Sequence, residues 1–167
     1  MTKKSLNNIT STTTIAAGTG FRGSTSNMLN QPHDIFETIN LDLCVADCTN
    51  DRIQCFVQGQ QNGTTIVGMG ALGTVALTCP TGIVFDGNGY LFIVDRDNHQ
   101  ISRVGPNGFH CSLGCSGTDS VSSQLCYSQT FSFDSYENMF VTDRDNNRIQ
   151  KFIFASNVRG EYHSTKL

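Results

Sequence analysis

Three aspartates at a fixed interval are the first residues in this chain that could do chemistry. Asp47, Asp95 and Asp143 lie 48 residues apart, each directly after a short apolar run. Carboxylates that recur around a ring could bind a cation, but a carboxylate at the end of a strand more often accepts backbone N–H groups of the following turn. Recurrence at a fixed spacing favours that structural role. An EF-hand loop is excluded because its sixth position requires glycine and here holds Gln100 or Arg148.

Each aspartate opens a motif that continues with an asparagine three residues later and an isoleucine six residues later. The three copies contain Asp47, Asn50, Arg52 and Ile53, then Asp95, Asn98 and Ile101, then Asp143, Asn146, Arg148 and Ile149. The surrounding sequences read LCVADCTNDRIQCF, LFIVDRDNHQISRV and MFVTDRDNNRIQKF. A repeat of this length indicates a propeller, a solenoid or another repeat array.

Cations accompany the motif, and they form a possible binding rim of Arg96, Arg103, Arg144 and Lys151. Repetition around a ring would concentrate them on one side, where single-stranded RNA could bind. Such binding also uses aromatic side chains on which bases stack, and these turns carry none. Aspartates interleave with the cations, and the net charge is −3, so a charge-balanced rim is favoured and RNA binding is the weaker hypothesis.

The elements that must position these residues are short strands. The apolar runs are rich in Val, Ile and Phe and are separated by turn residues. Residues 43–46 and 91–94 are apolar at consecutive positions, which predicts strands buried on both faces. A hairpin turn is expected at 86–89 (DGNG) and a fourth strand of the first unit at 65–67. Four antiparallel strands in 48 residues are typical of a β-propeller blade.

The motif resembles the NHL repeat, in which D-x-x-N-x-R-I-Q follows an apolar strand. The matching segments are 47–54 and 143–150, together with TIAAG at 14–18, TIVG at 65–68 and LTCPTGI at 77–83. The likeness covers roughly 14–154, with Gln100 in place of Arg and Ser128 in place of Pro as departures. The resemblance implies an all-β fold, a partial β-propeller of about three four-stranded NHL blades, half of the family's usual six-bladed ring.

The predicted division of the chain follows the repeat. A flexible N-terminal tail (1–13) precedes the propeller segment 14–154, and a C-terminal tail (155–167) follows it. The units lie near 29–76, 77–124 and 125–154, and 14–18 is expected to be a strand of a neighbouring or closing blade. Three blades leave two open faces, which invite pairing with another chain. We therefore expect a piece of a longer protein or half of an assembly.

Seven cysteines leave at least one thiol unpaired if the others form disulfides. Cys44 stands where the other units have phenylalanine and is expected to be a buried apolar residue. Cys48 and Cys55 stand where the other units have cations. Their joint replacement hints at a disulfide, but like charges at both positions elsewhere indicate that the two sites are not close neighbours. Cys111 and Cys115 are left unassigned.

The sequence favours a non-catalytic scaffold for protein binding, without cofactor or metal. The resemblance implies two alternatives: a substrate- or RNA-recognising segment of a tripartite-motif E3 ubiquitin ligase, or part of a metal-dependent propeller enzyme such as an amidating lyase. Only His33 lies where a channel metal could be held, whereas a catalytic zinc site needs about three protein ligands. His99 is expected to be a solvated turn residue. No nucleophile with a base and an orienting carboxylate can be assembled.

The location of the protein is left open by the sequence. The first residues, MTKKSLNNITSTT, lack the apolar core of a secretory leader, and no apolar run approaches the roughly 20 residues of a membrane span. A cytoplasmic location is therefore favoured over a membrane one. N-glycosylation sequons at Asn8 and Asn62 matter only if the protein is secreted.

Overall fold

The computed structural model describes residues 14–115 and 124–153. Within these ranges the regular structure is β-strand with two short 3-10 turns, Cys48–Asn50 and Arg96–Asn98. The strands are β1 (Pro32–Glu37), β2 (Leu43–Asp47), β3 (Arg52–Phe56), β4 (Thr64–Gly68), β5 (Pro80–Phe85), β6 (Leu91–Asp95), β7 (Gln100–Gly105), β8 (Gly108–Leu113), β9 (Phe131–Phe133), β10 (Met139–Asp143) and β11 (Arg148–Phe152).

The strands form three antiparallel sheets, each following the chain order, which we call blades 1, 2 and 3. Blade 1 is β1-β2-β3-β4 and blade 2 is β5-β6-β7-β8. Blade 3 contains β9-β10-β11 within the described residues. The motif hairpins share one register, since Asp47 pairs with Arg52, Asp95 with Gln100, and Asp143 with Arg148. The all-β blade architecture predicted from the 48-residue repeat is confirmed.

Strand β6 lies between two neighbouring sheets. Leu91 and Ile93 pack in an apolar cluster with blade 1, and Phe92 and Val94 pack in a second cluster with blade 3. All four side chains are buried, and each is worth roughly 1.5–3 kcal/mol relative to the exposed state. The consecutive apolar run at 91–94 is thus explained by burial on both faces, as predicted.

A close backbone approach explains the glycine of the TIVG segment. Asp51 ends the 3-10 turn of blade 1 in the left-handed conformation, with φ of 52°. Its carbonyl accepts a hydrogen bond from Met69 N–H at 3.0 Å. Gly68 has φ of 91°, and a side chain there would collide with the Asp51 carbonyl oxygen. The fourth strand can close on the turn only because residue 68 is glycine.

The strand expected at 14–18 does not form within the described residues. The chain bends at 16–18, and Gly18 lies against Leu29 in the segment before β1. The segment therefore lies beside blade 1 and is not paired with β11 in the described residues. The other local predictions are confirmed, namely the turn at 86–89, where Gly89 N–H donates to Asp86 O, and β4 at the TIV sequence. Strand β8 was not predicted because GFHCSL lacks the TIxG pattern.

Six of the seven cysteines form disulfides, and Cys126 remains a thiol. The pairs are Cys44–Cys55, Cys48–Cys79 and Cys111–Cys115. Cys44 is buried as expected, but it is half of a disulfide and not only an apolar filler. Cys48 and Cys55 are not bonded to each other. Cys55 is bonded across the hairpin to Cys44, and Cys48 is bonded to Cys79 in the next unit, which the sequence comparison did not predict.

Several predictions fall outside the described residues, among them both tails (1–13 and 155–167) and the sequon at Asn8. Among the described residues, no helix has the length and apolar character needed to cross a bilayer.

Candidate functional site

The motif aspartate of blade 1 is the centre of a buried hydrogen-bond network. Asp47 is fully buried. Its Oδ1 accepts Asn30 N–H at 2.7 Å, and its Oδ2 accepts Asn50 Nδ2 at 2.7 Å and Arg52 Nε at 2.8 Å. Charge-assisted bonds of this length are stronger than bonds between neutral groups. The carboxylate thus ties the hairpin to the segment that precedes β1.

The arginine of the motif extends this network to the preceding loop. Arg52 Nη1 donates to Ser24 O, and Nη2 donates to Thr25 O and Met28 O, at 2.8–3.0 Å. The planar guanidinium supplies several donors in fixed directions, which a lysine could not do. Arg52 therefore holds together three stretches of chain and is itself buried.

Blade 3 repeats the arrangement. Asp143 is fully buried and accepts Cys126 N–H, Asn146 Nδ2 and Arg148 Nε, with Gln150 Nε2 as a further donor. Burial acts to raise the pKa of the Asp143 carboxyl, but these hydrogen bonds outweigh burial and hold the pKa below its ordinary value.

The hydrogen-bond network of blade 2 differs from those of blades 1 and 3 because Gln100 replaces the motif arginine. Asp95 accepts Thr78 N–H at 2.8 Å, Asn98 Nδ2 at 2.8 Å and Gln100 Nε2 at 2.9 Å. None of these donors carries a positive charge. Burial raises the pKa of the Asp95 carboxyl above its ordinary value, and the nearby charge of Asp51 acts in the same direction.

The three aspartates therefore have the structural role expected from their recurrence, but with different partners. The sequence predicted acceptance of N–H groups in the following turn. Instead, each carboxylate accepts the N–H of a residue 17 positions earlier, Asn30, Thr78 or Cys126. The 3-10 turns receive no side-chain cap from Asp47 or Asp95. The preceding segment lies against the motif turn in each unit, because backbone N–H groups of the turn donate to Asn30 O, Thr78 O and Cys126 O.

The expected cationic rim does not form one surface. Arg96 and Arg144 lie in the motif turns, whereas Arg103 and Lys151 lie at the other end of the hairpins. Each turn arginine is next to its own aspartate. Arg96 Nε contacts Asp97 at 2.7 Å, and Arg144 Nε lies 3.7 Å from Asp145.

The two strand cations lie over aromatic rings. The Arg103 guanidinium is 4.8 Å from the centre of the Tyr90 ring. Lys151 Nζ is 5.2 Å from the centre of the Phe140 ring and 3.9 Å from Asp134 Oδ2. These contacts explain why cations recur at this register, where the charged end of the side chain lies near the centre of an aromatic ring.

His33 has neighbours that the sequence did not reveal. His33, Cys48 and Cys79 offer ligand atoms within 4.8 Å of one another. The two sulfurs are joined as a disulfide, and a metal requires thiolates. His99 is also not a simple solvated residue. It is half-buried, its ring packs edge-to-face on Tyr127 with centres 4.6 Å apart, and its Nδ1 accepts Tyr127 N–H.

The motif isoleucine has a different environment in blade 3 from the one it has in blades 1 and 2. Ile53 and Ile101 are fully buried against the following blade, but Ile149 is 65% exposed. It borders a shallow depression of about 470 Å³, which we call the forward face, lined by Gln129, Thr130, Thr142, Arg144, Asn147, Arg148 and Ile149.

The opposite end of the molecule shows the same contrast. Ile83 and Phe131 of the inner strands are buried against the preceding blade, but Ile35 at the equivalent position of blade 1 is 63% exposed. We call this side of blade 1, marked by Ile35, the backward face. Within residues 14–115 and 124–153, one copy of each half of a blade-to-blade interface therefore lacks a neighbouring blade.

Comparisons with known proteins bear on the fold. No protein-family model and no curated protein match the chain. Among solved structures, a streptogramin B lyase matches with a TM-score of 0.52 at 12% identity, over 76% of this chain and 42% of that chain. An auxiliary nutrient binding protein from Bacteroides thetaiotaomicron matches with a TM-score of 0.55 at 17% identity, over 66% and 34%.

A catalytically inactive virginiamycin B lyase from Staphylococcus aureus, solved with quinupristin, matches with a TM-score of 0.50 at 10% identity, over 83% and 44%. These neighbours are β-propeller proteins, and at such identities the likeness shows the fold alone. The chain is therefore a partial β-propeller. It spans less than half of the length of each of these structures.

Proposed function

We propose that this chain is a non-catalytic propeller scaffold of the NHL type, and that its open blade faces bind a protein partner. The observation that carries this proposal is the exposure of Ile149, 65% against 0% for Ile53 and Ile101. A side chain that two blades bury and the third exposes marks an interface without its partner.

The chemistry of the two faces favours another propeller blade as the partner. Inside the molecule, the forward side of blade 1 and the backward side of blade 2 form a continuous apolar cluster that includes Ile53 and Ile83. Blade 3 presents Ile149 and half-buried Phe140 at its forward face, and blade 1 presents Ile35. The forward face therefore resembles a surface that already binds a backward face twice in this chain.

A second copy of the chain is the partner that these faces fit most directly. Two copies joined forward face to backward face would close a ring of six blades, within the roughly four to eight blades of natural propellers. The lengths agree with this arrangement, because 66–83% of this chain matches 34–44% of each propeller structure compared above, so the whole chain is about half as long as those structures.

The repeated carboxylates support a scaffold and not an enzyme. Asp47, Asp95 and Asp143 are buried, and each accepts three or more hydrogen bonds from its own unit. Carboxylates with these partners stabilise the blade and do not face a substrate. The same networks, with Asn and Arg or Gln at fixed positions, support the NHL assignment.

The alternatives have less support. A tripartite-motif ligase segment or an RNA-binding segment would use the cations of the rim, but these are divided between two ends of the hairpins. A lyase of the kind seen among the structural neighbours would require a site of its own. His33 has two cysteines beside it, and both are engaged in a disulfide.

The native mass of the purified chain tests the proposal, measured by light scattering after size exclusion. We expect a two-copy species that Ile149→Asp and Ile35→Asp each convert to one copy, because a charge in an apolar interface is not solvated. Leu72→Asp is the matched control, since Leu72 is fully exposed in a loop outside both faces. A wild-type chain that stays monomeric at high concentration, or equal effects of Leu72→Asp and Ile149→Asp, would refute self-association.

A further inference from the structure

The second sequon, Asn62-Gly63-Thr64, lies at the outer edge of blade 1. Asn62 and Gly63 directly precede β4, the outermost strand of the blade, and Thr64 begins that strand. Asn62 is exposed. The position is distant from the inner strand β1, where the exposed Ile35 marks the backward face.

The local contacts hold this sequon in a defined conformation. Gly63 N–H donates to Ser26 O at 2.8 Å, and Ser26 Oγ donates to Asn62 Oδ1 at 3.3 Å. Within the described residues, Asn62 Nδ2 donates no hydrogen bond. A Cβ atom on Gly63 would lie 2.8 Å from Gln54 Nε2, so the middle residue of the sequon packs inward. The contacts therefore use the oxygen of Asn62 and leave its nitrogen available.

The disulfides give an independent indication of the environment. Three disulfides in 167 residues are typical of proteins that fold in an oxidising compartment. Cys44–Cys55 occupies the register at which blade 3 has the Phe140–Lys151 ring contact. Covalent links thus replace a non-covalent contact that the same fold uses elsewhere.

The disulfide between blades 1 and 2 also stands where the next unit has a non-covalent pair of side chains. Cys48 and Cys79 stand 48 residues before Arg96 and Tyr127, so the disulfide takes the place of two large side chains at the next blade junction. Blade 1 would lose both links in a reducing cytosol. The disulfides therefore favour an oxidising compartment, which is also where sequons are modified.

We propose that Asn62 is a site of N-linked glycosylation and that the chain folds in an oxidising compartment. In the transfer, Asn62 Nδ2 forms a bond to the anomeric carbon of an oligosaccharide carried on a lipid diphosphate. The bond from that carbon to the phosphate oxygen breaks, the diphosphate leaves with the electron pair, and Nδ2 gives up one proton. The glycan would project from the outer edge of blade 1. An oxidising compartment differs from the cytoplasmic location that the sequence favoured.

Peptide mapping of the full chain, secreted from a eukaryotic cell line behind a cleavable leader, tests the proposal. An Asn8→Gln background removes the other sequon. We expect the Asn62 peptide to carry a glycan that peptide-N-glycosidase releases, converting residue 62 to aspartate. The glycan should be lost in Asn62→Gln and in Thr64→Ala, but kept in Thr64→Ser, which preserves the hydroxyl.

The same sample reports the state of the cysteines. Alkylation after unfolding without reductant should label Cys126 alone. An Asn62 peptide that is unmodified in a secreted, disulfide-bonded chain would refute the glycosylation site. Labelling of all seven thiols, or retention of an unglycosylated chain in the cell, would overturn the assignment to an oxidising compartment. None of these outcomes depends on whether two copies associate.

Discussion

At the scale of single residues, the three motif copies form a comparison within one chain. Asp95 and Asp143 occupy the same position, accept an N–H from the same place in the preceding segment, and are both fully buried. They differ in two donors. Gln100 stands where blade 3 has Arg148, and Ser102 stands where blade 3 has Gln150, which also donates to Asp143. Burial raises the pKa of the Asp95 carboxyl, whereas the stronger set of donors holds the pKa of the Asp143 carboxyl below its ordinary value.

Replacement of the arginine should therefore destabilise blade 3. Arg148→Gln removes a charge-assisted bond of 2.7 Å and a second bond from Nη2 to Gln124 O, while a glutamine can still reach the carboxylate. We expect a loss of about 1–3 kcal/mol in the free energy of unfolding, measured by urea denaturation at pH 7. Arg144→Gln is the control, because Arg144 is 65% exposed and its contact to Asp145 is long. Equal losses in both variants would contradict the role of the buried network.

The reverse substitution should change how stability depends on pH. A raised pKa means that the folded protein holds the Asp95 proton more tightly than the unfolded chain does. The contribution of Asp95 is therefore favourable at low pH and is lost as pH rises from about 4 through the folded-state pKa. Gln100→Arg supplies a cation, lowers the pKa and should reverse this trend. The pKa of the Asp143 carboxyl is lowered, so Asp143 already contributes stability at pH values above the ordinary carboxyl pKa. This contribution is lost on acidification.

Urea denaturation at several pH values between about 4 and 8 measures this difference. The free energy of unfolding of Gln100→Arg, relative to wild type, should increase with pH. Gln100→Leu is the control, because it removes a hydrogen bond from Asp95 without adding charge and should destabilise the protein further at neutral pH. A difference between Gln100→Arg and wild type that stays constant with pH would contradict the raised pKa of Asp95.

At the scale of elements, the disulfides connect different parts of the fold. Cys48–Cys79 spans 31 residues and joins blade 1 to blade 2, whereas Cys111–Cys115 spans 4 residues within one segment. Loop-closure entropy predicts that removing the first link costs about 4 kcal/mol and removing the second about 2 kcal/mol. Paired alanine substitutions in a Cys126→Ser background, compared by denaturation without reductant, test this order. A larger loss on removing Cys111–Cys115 would contradict the inter-blade link as the principal covalent constraint.

The same elements show how far the sequence could be interpreted. Strand β6 was predictable because burial on both faces leaves a run of four apolar residues that is short, rich in β-branched and aromatic side chains and bounded by turn residues. The Cys44–Cys55 pair was also accessible, since the hairpin register that opposes Asp47 and Arg52 places residues 44 and 55 opposite each other. The Cys48–Cys79 pair was not, because it depends on how two blades pack. The backbone donors to the aspartates were missed for a different reason, because each comes from the segment before the first strand of the same unit, 17 residues earlier in the chain.

At the scale of the whole molecule, the segment 14–18 lacks a strand partner within the described residues, just as the forward and backward faces lack a neighbouring blade there. The sequence pattern identified a TIxxG segment, but a segment becomes a strand only where a free edge accepts it, and 14–18 lies beside blade 1. Blade 3 has no fourth strand within the described residues, and its forward face is uncovered. The local repeat thus determined each blade, whereas the ring closure proposed above would depend on contacts outside those that the described residues make.

Alanine substitutions of two equivalent isoleucines, Ile101 and Ile149, distinguish the stability of the blades from the stability of the proposed assembly. Ile101→Ala removes a side chain that is fully buried between blades 2 and 3, so it should cost about 2–5 kcal/mol at any protein concentration. Ile149→Ala changes an exposed side chain and should cost less than about 0.5 kcal/mol in dilute solution. Because association stabilises the folded state by mass action, the cost of Ile149→Ala should increase with concentration.

Thermal unfolding at two concentrations about a hundredfold apart measures both effects. A wild-type Tm independent of concentration would mean that no second copy covers the forward face, and a full cost of Ile149→Ala in dilute solution would mean that the face is already covered within one chain.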